Sequence, residues 1–294
     1  MSVAIIINPI SGGARPAAAR VRAQIALSAV DRHGDRAEVF VTERPGHARA
    51  LAKAAARRGV RLVLAWGGDG TVNEVASALA FDSIPLGIIP SGSGNGLATE
   101  LGISRRPDRA IAAALAAAPR AIDLGELDGR LFVNVAGIGI DAFVAAQFNG
   151  GGNLRRGLIG YARITGRALF TYAPQAYRIA SDHAHFDTRA VVVTIANGSQ
   201  YGNNARIAPD ARIDDGLLDL VVVEERSRWE TLRHVPKLFN GQAARVPGYR
   251  TTRIRRATIE SDDPMPFHVD GEPVQGGTSL KVRVHPGALL VAAH

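Results

Sequence analysis

Short apolar runs alternate with alanine-rich stretches through the first 120 residues of the chain. The apolar runs are rich in β-branched residues and predict buried strands, whereas the alanine-rich stretches carry apolar residues at helical spacing. Strands and helices that alternate in this way predict a doubly wound parallel sheet, in which ligands bind beyond the carboxyl ends of the strands. The predicted strands are residues 3–8, 37–42, 62–66 and 86–89, and the predicted helices are residues 16–30, 47–58, 72–80 and 107–117.

The pattern changes near residue 122, where β-rich runs separated by Gly, Asn and Asp replace the alternation. Such runs are typical of antiparallel sheets, so we expect a mainly antiparallel, sandwich-like second domain over residues 123–284. It holds one predicted helical insert, residues 154–172. We interpret the last apolar run, 288–292, as a return to the first domain, which would comprise residues 1–122 completed by 285–294. The predicted strands of the second domain are residues 191–196, 217–223, 252–260, 267–269 and 280–284.

Composition limits the chemistry that the chain can perform. Among its 294 residues there is no cysteine, which excludes a disulfide framework, a Cys-ligated zinc or iron–sulfur site and a thiol nucleophile. A hydrophobic content of 46% with 21% charged residues excludes disorder for most of the chain. Catalysis must therefore use carboxylates, hydroxyls, imidazoles, backbone amides or an oxygen-ligated metal.

The net charge is 35 − 27 = +8, but it does not predict a nucleic-acid partner. Arginine accounts for 35 − 3 = 32 of the cations, these arginines are spread along the chain, and aromatic residues make up only 5%. The N-terminus lacks the features of a signal peptide, and no apolar stretch has the length of a membrane span. We expect a cytoplasmic protein; peripheral contact with the inner membrane face and homodimerisation are left open.

Three glycine-rich loops follow predicted strands: NPISGG (residues 8–13), WGGDGTVNEV (66–75) and PSGSGNGLA (90–98). Small residues at a helix start let backbone N–H groups converge on an anion, so three such loops at one sheet edge predict a phosphate-lined crevice. The first loop alone would equally be an ordinary turn, whereas GGDGT between a strand and a helix is more specific. A Walker A motif and the HRD triplet of protein kinases are absent, which indicates a nucleotide site of another kind.

Two side chains of the second loop are candidates for chemistry. Asp69 offers a carboxylate to a metal–phosphate complex, and Thr71 offers a hydroxyl to a phosphate oxygen. The helix that follows adds a dipole that favours negative charge. The simpler alternative for Asp69 is that it caps that helix.

Together with NVAGIGIDAFV (134–144), YGNNARIAPDARIDDGLLDLVVV (201–223) and HVDGEPV (268–274), these loops resemble the diacylglycerol kinase catalytic-domain family. That family includes bacterial lipid kinases and the sphingosine and ceramide kinases. The resemblance implies an NAD-kinase/diacylglycerol-kinase-like fold, with an α/β ATP-binding domain, a β-rich lipid-side domain and the active site in the cleft between them. It also implies transfer of the γ-phosphoryl group of ATP to a lipid hydroxyl, diacylglycerol-like or sphingoid/ceramide-like.

The resemblance also implies roles for individual residues. Asp69 would support a catalytic Mg²⁺, and Glu272 would be the general base. A second, structural Mg²⁺ would be held by Asp215 and by the backbone carbonyls of Arg212 and Leu217. The three loops and the resemblance together assign the following nucleotide contacts: Asn8, Ser11, Gly12, Thr42, Gly67, Gly68, Asp69, Gly70, Thr71, Asn73, Glu74, Ser91, Gly92, Ser93, Gly94 and Asn95.

Alternatives stay open for the residues of the second domain. Asp270-Gly271 is a strong hairpin-turn signal, so Glu272 could simply be an exposed strand residue beside a turn. The DDG segment that contains Asp215 could be a solvated turn. The loop GSGNG is similar to that of sphingosine and ceramide kinases, yet Phe143 stands where an acidic residue would help to hold a sphingoid head group. The acceptor lipid is therefore left open.

Residues 154–172 are the candidate for membrane contact. Arg156, Arg163 and Arg167 share one face of a helix and apolar residues gather on the other, which is typical of a basic amphipathic helix on anionic lipid. The alternative is a helix packed on its own domain with a solvated arginine face. Two further functions are left open: an NAD-kinase-like phosphotransferase with a soluble acceptor, and a catalytically silent lipid- or nucleotide-binding regulator.

Overall fold

A computed structural model describes residues 2–13, 17–150, 168, 171–200, 205–227, 229–230, 233–234, 237 and 242–293. The chain divides into two compact units, one formed by Met1–Ile122 with Gly287–His294 and the other by Asp123–Pro286. The chain passes from one unit to the other within two strands, Arg120–Leu127 and Ser279–Val291. No helix among the described residues has the length and apolar character needed to cross a membrane.

The first unit is an α/β fold built on parallel strands in the order β4-β3-β1-β2, with the end of β15 beside β4. Helix α1 packs against α5, and α2 packs against α3. This confirms the predicted doubly wound parallel sheet. The elements are β1 Ser2–Ile7, α1 Ala18–Arg32, β2 Arg36–Val41, α2 His47–Arg57, β3 Leu62–Gly67, α3 Asp69–Leu79, β4 Leu86–Pro90, α4 Gly96–Glu100 and α5 Pro107–Ala116.

Burial explains why the sequences of the central strands are continuous apolar runs. Strands β3 and β4 are buried at every position, as expected for parallel strands that are covered on both faces. The core joins β-branched and leucine side chains of the sheet to alanines of the helices, whose small size allows close helix–sheet packing. Core members include Val3, Ile5, Leu64, Ala26 and Ala114.

The second unit is mainly antiparallel, which confirms the predicted fold class. Its strands follow the order β14-β13-β7-β9-β8-β12-β15, β10 lies between β9 and β11, and β6 pairs with β5. Its core contains the fully buried Phe132, Tyr177 and Phe267. The elements are β5 Arg120–Leu127, β6 Arg130–Phe132, β7 Val135–Gly139, α6 Ile140–Gly150, β8 Gln175–Ser181, β9 His185–Ala196, β10 Leu218–Glu224, β11 Tyr249–Ile254, β12 Arg256–Glu260, β13 Phe267–Val269, β14 Glu272–Val274 and β15 Ser279–Val291.

The prediction of a single strand over residues 252–260 is wrong. Strand β11 pairs with β10, whereas β12 pairs with β8 and β15. Arg255 lies between β11 and β12, and its backbone N–H donates to both carboxylate oxygens of Asp182 at 3.0 and 3.3 Å. The alternation of buried and exposed positions shifts by one residue at this point, because two consecutive exposed arginines separate the buried Ile254 of β11 from the buried Ala257 of β12.

The predicted runs 280–284 and 288–292 belong to one strand, β15, which continues through Pro286 and Gly287. Strands β5 to β8 and helices α4 and α6 were not predicted as separate elements. Of the predicted helical insert at 154–172, only residues 168, 171 and 172 are described, so the proposed amphipathic helix lies outside the described residues. Residues 201–204 of the YGNN segment lie outside them as well.

Candidate active site

The loops after β1, β2, β3 and β4 meet at one edge of the parallel sheet. In the register of the sheet, Ile7 is level with Val41 and Trp66, and Gly67 is level with Pro90. Backbone bonds of 2.9 Å continue the sheet past the strand ends, from Asn8 N to Trp66 O, from Thr42 N to Ile7 O and from Ser91 N to Gly67 O. The structure therefore brings the predicted loop residues of the first unit together.

Asp69 links two of these loops. Helix α3 begins at Asp69, and its N-cap, Gly68, makes no side-chain capping bond. The two carboxylate oxygens of Asp69 instead accept the backbone N–H groups of Asn95, at 2.9 Å, and Gly96, at 2.7 Å. The alternative that Asp69 caps its own helix is wrong, because the carboxylate bonds to the start of α4. Each oxygen has a further lone pair that a cation could use.

Asn95 fixes the shape of the third glycine-rich loop. It is buried with φ of 53°, its Oδ1 accepts the N–H of Gly92 at 2.8 Å, and its Nδ2 donates to the carbonyl of Gly92 at 2.7 Å. A β-carbon on Gly92 would lie 2.7 Å from the α-carbon of Gly68. One on Gly94 would lie 2.6 Å from Oδ2 of Asp69. Glycine is needed at both positions so that the two loops can approach each other.

The first loop is tied to the other two by side chains. Asn8 Nδ2 donates to the hydroxyl oxygen of Thr71 at 3.0 Å, a bond that leaves the hydroxyl hydrogen of Thr71 for another acceptor. The hydroxyls of Ser11 and Ser91 lie 2.6 Å apart. A β-carbon on Gly12 would lie 2.2 Å from the carbonyl oxygen of Ser91. The three loops thus form one hydrogen-bonded assembly.

Arg22 of α1 completes this assembly, although no motif in the sequence marks it. Its guanidinium donates to the carbonyl oxygen of Asn8 at 2.6 Å, to the hydroxyl of Ser11 at 2.8 Å and to the carbonyl oxygen of Ser11 at 3.0 Å. The same group lies over the ring of Trp66, 5.8 Å from the ring centroid. Partial burial lowers the pKa of the Arg22 guanidinium below its usual value.

Other residues predicted to contact the nucleotide lie near this edge of the sheet, where they bond to other parts of the first unit or are exposed. The carboxylate of Glu74 accepts the N–H groups of Gly46 at 2.7 Å and Arg49 at 3.3 Å, at the start of α2. Asn73 accepts the hydroxyl of Ser77 at 3.4 Å, and Ser93 is exposed. The nucleotide contacts assigned to these residues stay predictions.

In the second unit, β13 and β14 form the expected hairpin. Its turn residues, Asp270 and Gly271, have φ of 47° and 85°, so both adopt the left-handed conformation that two-residue hairpin turns favour. This confirms the predicted turn. Glu272 is exposed and is the first residue of β14, opposite Val269. Its role as a general base stays a prediction.

Asp270 anchors that hairpin, which the turn signal alone did not indicate. Its carboxylate accepts three consecutive backbone N–H groups, of Val133 at 2.8 Å and of Asn134 and Val135 at 3.0 Å each. Its own N–H donates to the carbonyl of Val135 at 2.8 Å. The position of Glu272, two residues further on, is therefore tied to β7.

The DDG loop is organised around a second carboxylate that sequence reasoning missed. Buried Asp123 accepts the N–H of Gly216 at 2.6 Å, and its own N–H donates to the carbonyl of Ile213 at 2.7 Å. Asp215 accepts the N–H of Leu217 at 3.1 Å through one oxygen. Nearby, burial raises the pKa of Asp219 above its usual value.

A carboxylate with main-chain carbonyl oxygens is a hard donor set of the kind that Mg²⁺ prefers, so Arg212, Asp215 and Leu217 fit the predicted ion in chemical type. Within the described part of the chain, no three His, Asp or Glu side chains converge as a metal centre. The predicted site is of another kind, with one carboxylate and two carbonyls.

Two family models together match nearly the whole chain. The model of the diacylglycerol kinase catalytic domain matches residues 2–127. The model of the YegS C-terminal NAD kinase beta sandwich-like domain matches residues 134–293, more than half of the chain. This chain belongs to the diacylglycerol kinase catalytic-domain family, with the YegS type of C-terminal domain. The resemblance noted from the motifs is confirmed, and the protein is a kinase.

Curated relatives of similar length support this assignment. A protein of Chromohalobacter salexigens named probable lipid kinase YegS-like is 32% identical over 278 residues, which cover 91% of this chain and 87% of the relative. Proteins of the same name from Pseudomonas aeruginosa and Stenotrophomonas maltophilia are 33% and 34% identical. They align over 90% and 86% of this chain and over 87% and 85% of their own lengths.

A solved structure shows the same fold. The crystal structure of a diacylglycerol kinase from Bacillus anthracis aligns over 100% of this chain and 97% of its own, with a TM-score of 0.75 and 22% sequence identity. At that identity the likeness concerns the fold alone. It confirms the architecture of an α/β domain combined with a sandwich-like domain.

Proposed function

We propose that this kinase transfers the γ-phosphoryl group of ATP to a hydroxyl group of a lipid. The observation that supports it best is the hydrogen-bonded assembly of three glycine-rich loops at the carboxyl edge of the parallel sheet, with Asp69 bonded between two of them. Open α/β sheets bind ligands at this edge, and phosphates favour helix starts and glycine-rich turns.

The second and third loops would contribute to ATP binding in different ways. The loop of residues 91–95 is held by Asn95 and approaches Gly68 closely, and the N–H groups of Ser93 and Gly94 would bond to a phosphate, since those of Ser91, Gly92 and Asn95 bond within the protein. Thr71 has a hydroxyl hydrogen that its bond from Asn8 does not use. Asp69 would hold a catalytic Mg²⁺, an ion that neutralises charge developing on the transferred phosphoryl group.

Glu272 would accept the proton of the attacking lipid hydroxyl. A general base must be accessible and held in place, and Glu272 is exposed at the start of β14, beside a turn that Asp270 anchors with three hydrogen bonds. Removing the proton as the hydroxyl oxygen attacks the γ-phosphorus would make the oxygen a better nucleophile. The bond from phosphorus to the bridging oxygen then breaks, and ADP leaves.

The second Mg²⁺ would have a structural role. Asp215 and the carbonyl oxygens of Arg212 and Leu217 would hold it, and the bond from Gly216 N–H to Asp123 would keep the DDG loop in shape. Because Asp123 is buried, the loop depends on the interior of the second unit and not on solvent-exposed contacts alone.

The acceptor class rests on the relatives, which are named probable lipid kinases. A cytoplasmic location with peripheral membrane contact through residues 154–172 belongs to this proposal, as does a homodimer. The lipid itself is not assigned, because the similarity of GSGNG to sphingosine and ceramide kinases and the presence of Phe143 favour different acceptors.

One experiment tests the proposal directly. Purified protein is incubated with γ-labelled ATP, Mg²⁺ and mixed micelles that contain diacylglycerol, monoacylglycerol, phosphatidylglycerol, sphingosine or ceramide in turn. We expect labelled lipid with at least one acceptor, loss of that product with Asp69→Ala and with Glu272→Gln, and normal activity with the surface control Asp31→Asn. Absence of labelled lipid with every acceptor would refute the proposal. Label on a soluble acceptor would favour the NAD-kinase-like alternative, and ATP binding without turnover the silent regulator.

A further inference from the structure

Arg22 is a half-buried cation at the nucleotide edge to which the proposed mechanism gives no role. It lies in the second turn of α1, a 15-residue helix that begins at Ala18. Its three hydrogen bonds all go to the segment between Asn8 and Ser11. A surface arginine with a solvated head would not make three such bonds to one short segment, so this contact has a specific geometry.

The bonds determine which way the first loop faces. Two of the three acceptors are main-chain carbonyl oxygens, those of Asn8 and Ser11. A loop that binds an anion must turn its carbonyl oxygens away from the ligand and its N–H groups towards it. By holding both carbonyls on the α1 side, Arg22 keeps their negative ends away from a phosphate at the opposite side of the loop.

The glycines that follow need such support. Gly12 and Gly13 have φ of 69° and 74°, and neither has a side chain to fix its conformation. The hydroxyls of Ser11 and Ser91 tie this segment to the third loop, and Arg22 also donates to the Ser11 hydroxyl of that pair. Arg22 thus orients the group that joins the first loop to the third.

The guanidinium of Arg22 bonds to neutral groups. Within the described residues no carboxylate pairs with it, and its partners are two carbonyls, one hydroxyl and the ring face of Trp66. A guanidinium suits this task because its planar fork reaches several acceptors and stacks on an aromatic face at once. Trp66 is the penultimate residue of β3 and directly precedes GGDG, so the stacking also relates α1 to the second loop.

We propose that Arg22 is a positioning residue of the ATP site, which orders the loop of residues 8–13 so that the N–H groups of Gly12 and Gly13 face the nucleotide phosphates. The N–H groups of Asn8, Ile10 and Ser11 bond within the protein. This inference rests on the proposed ATP binding, and it adds a residue outside all the motifs. Arg22 acts through the loop and through Trp66, and it does not itself bind a phosphate.

The test compares Arg22→Met and Arg22→Lys with Arg20→Met, a matched control at an exposed arginine of the same helix. Amide hydrogen exchange of the 8–13 segment is measured without nucleotide, and KM for MgATP and kcat are measured with lipid micelles.

We expect Arg22→Met to speed exchange in that segment and to raise KM for MgATP roughly 10- to 100-fold, with kcat lowered less than about threefold. Arg22→Lys should recover part of the loss, because one ammonium replaces the fork incompletely. Arg20→Met should match the wild type.

Two results would overturn the inference. If KM for MgATP rises in Arg22→Met while exchange of residues 8–13 is unchanged, Arg22 contacts the phosphates directly. If neither quantity changes, the contact is incidental. Absence of phosphotransfer in the wild-type protein would refute the proposed function instead, and the exchange measurement, which needs neither nucleotide nor lipid, would still decide whether Arg22 orders the loop.

Discussion

The substitution Asp69→Asn separates the structural role of this carboxylate from its proposed role as a metal ligand. Asp69 accepts two backbone N–H groups, of Asn95 and Gly96, and asparagine offers one oxygen where the carboxylate offers two. The amide NH₂ group would then face an N–H donor. One charge-assisted hydrogen bond is lost and the other is weakened.

The magnitude follows from these two bonds. Hydrogen bonds to charged groups contribute about 1.5–3 kcal/mol each, so the loss of one bond at this half-buried site should lower the free energy of unfolding of the first unit by about 2 kcal/mol. For a unit of 122 + 8 = 130 residues, that loss corresponds to a midpoint roughly 6–10 °C lower. The effect should appear without Mg²⁺ and without nucleotide.

The assay uses Trp66 as a reporter of the first unit. The chain has two tryptophans, Trp66 in β3 and the exposed Trp229, so a Trp229→Phe background leaves fluorescence from Trp66 alone. Urea unfolding of Asp69→Asn in Mg²⁺-free buffer is compared with that of Asp31→Asn, an exposed aspartate of α1. The control should stay within about 0.5 kcal/mol of the parent. Equal or higher stability of Asp69→Asn would show that the carboxylate does not join the two loops, and the reasoning would fail.

Three further predictions concern other positions. Gly92→Ala should raise KM for MgATP roughly 10-fold or more, since the added β-carbon would lie 2.7 Å from the α-carbon of Gly68. The control Gly277→Ala should behave as wild type in the same kinetic assay, because its added β-carbon would have no atom within 4 Å. Asp270→Asn should lower kcat and destabilise the second unit by about 2 kcal/mol in chemical denaturation, because the neutral amide offers one acceptor oxygen to the three N–H groups that the carboxylate binds with two. Burial lowers the pKa of His268 to about 4, so the unfolded chain takes up this proton first as the pH falls. The stability that neutral His268 contributes is complete above the pKa of this side chain in the unfolded chain, and about 2 kcal/mol of it is lost between pH 6.5 and 5. This dependence of the free energy of unfolding on pH should be missing in His268→Asn.

Much of the fold could be predicted from the sequence because local rules decide it. The four parallel strands and the long helices of the first unit follow from their hydrophobic patterns, and burial on both faces of the sheet imposes the continuous apolar runs of β3 and β4. The turn at Asp270-Gly271 follows from residue type, since few other pairs adopt two left-handed conformations in succession. The glycine-rich loops that follow the strands predicted that the loops gather at one sheet edge, because parallel strands end at a common edge.

The predicted single strand over residues 252–260 failed where the partner strand changed. The alternation shifts by one residue between the buried Ile254 and Ala257, Asp182 bonds to the backbone of Arg255, and the strand pairs differently on either side. The short helix α4 gave too few residues for a period to be visible.

The contacts that complete the candidate site were decided by the tertiary structure alone. Asp69 bonds to N–H groups 26 and 27 residues away, Asp123 to one 93 residues away and Asp270 to three at 135 to 137 residues. Arg22 bonds to main-chain carbonyls 14 and 11 residues away. Each is a bond from a charged side chain to the main chain. Because nearly every residue carries the same main-chain N–H and C=O groups, residue type does not show which of them will be the partner. The sequence determined which loops gather and which carboxylates are available; only folding determined which backbone groups those side chains meet.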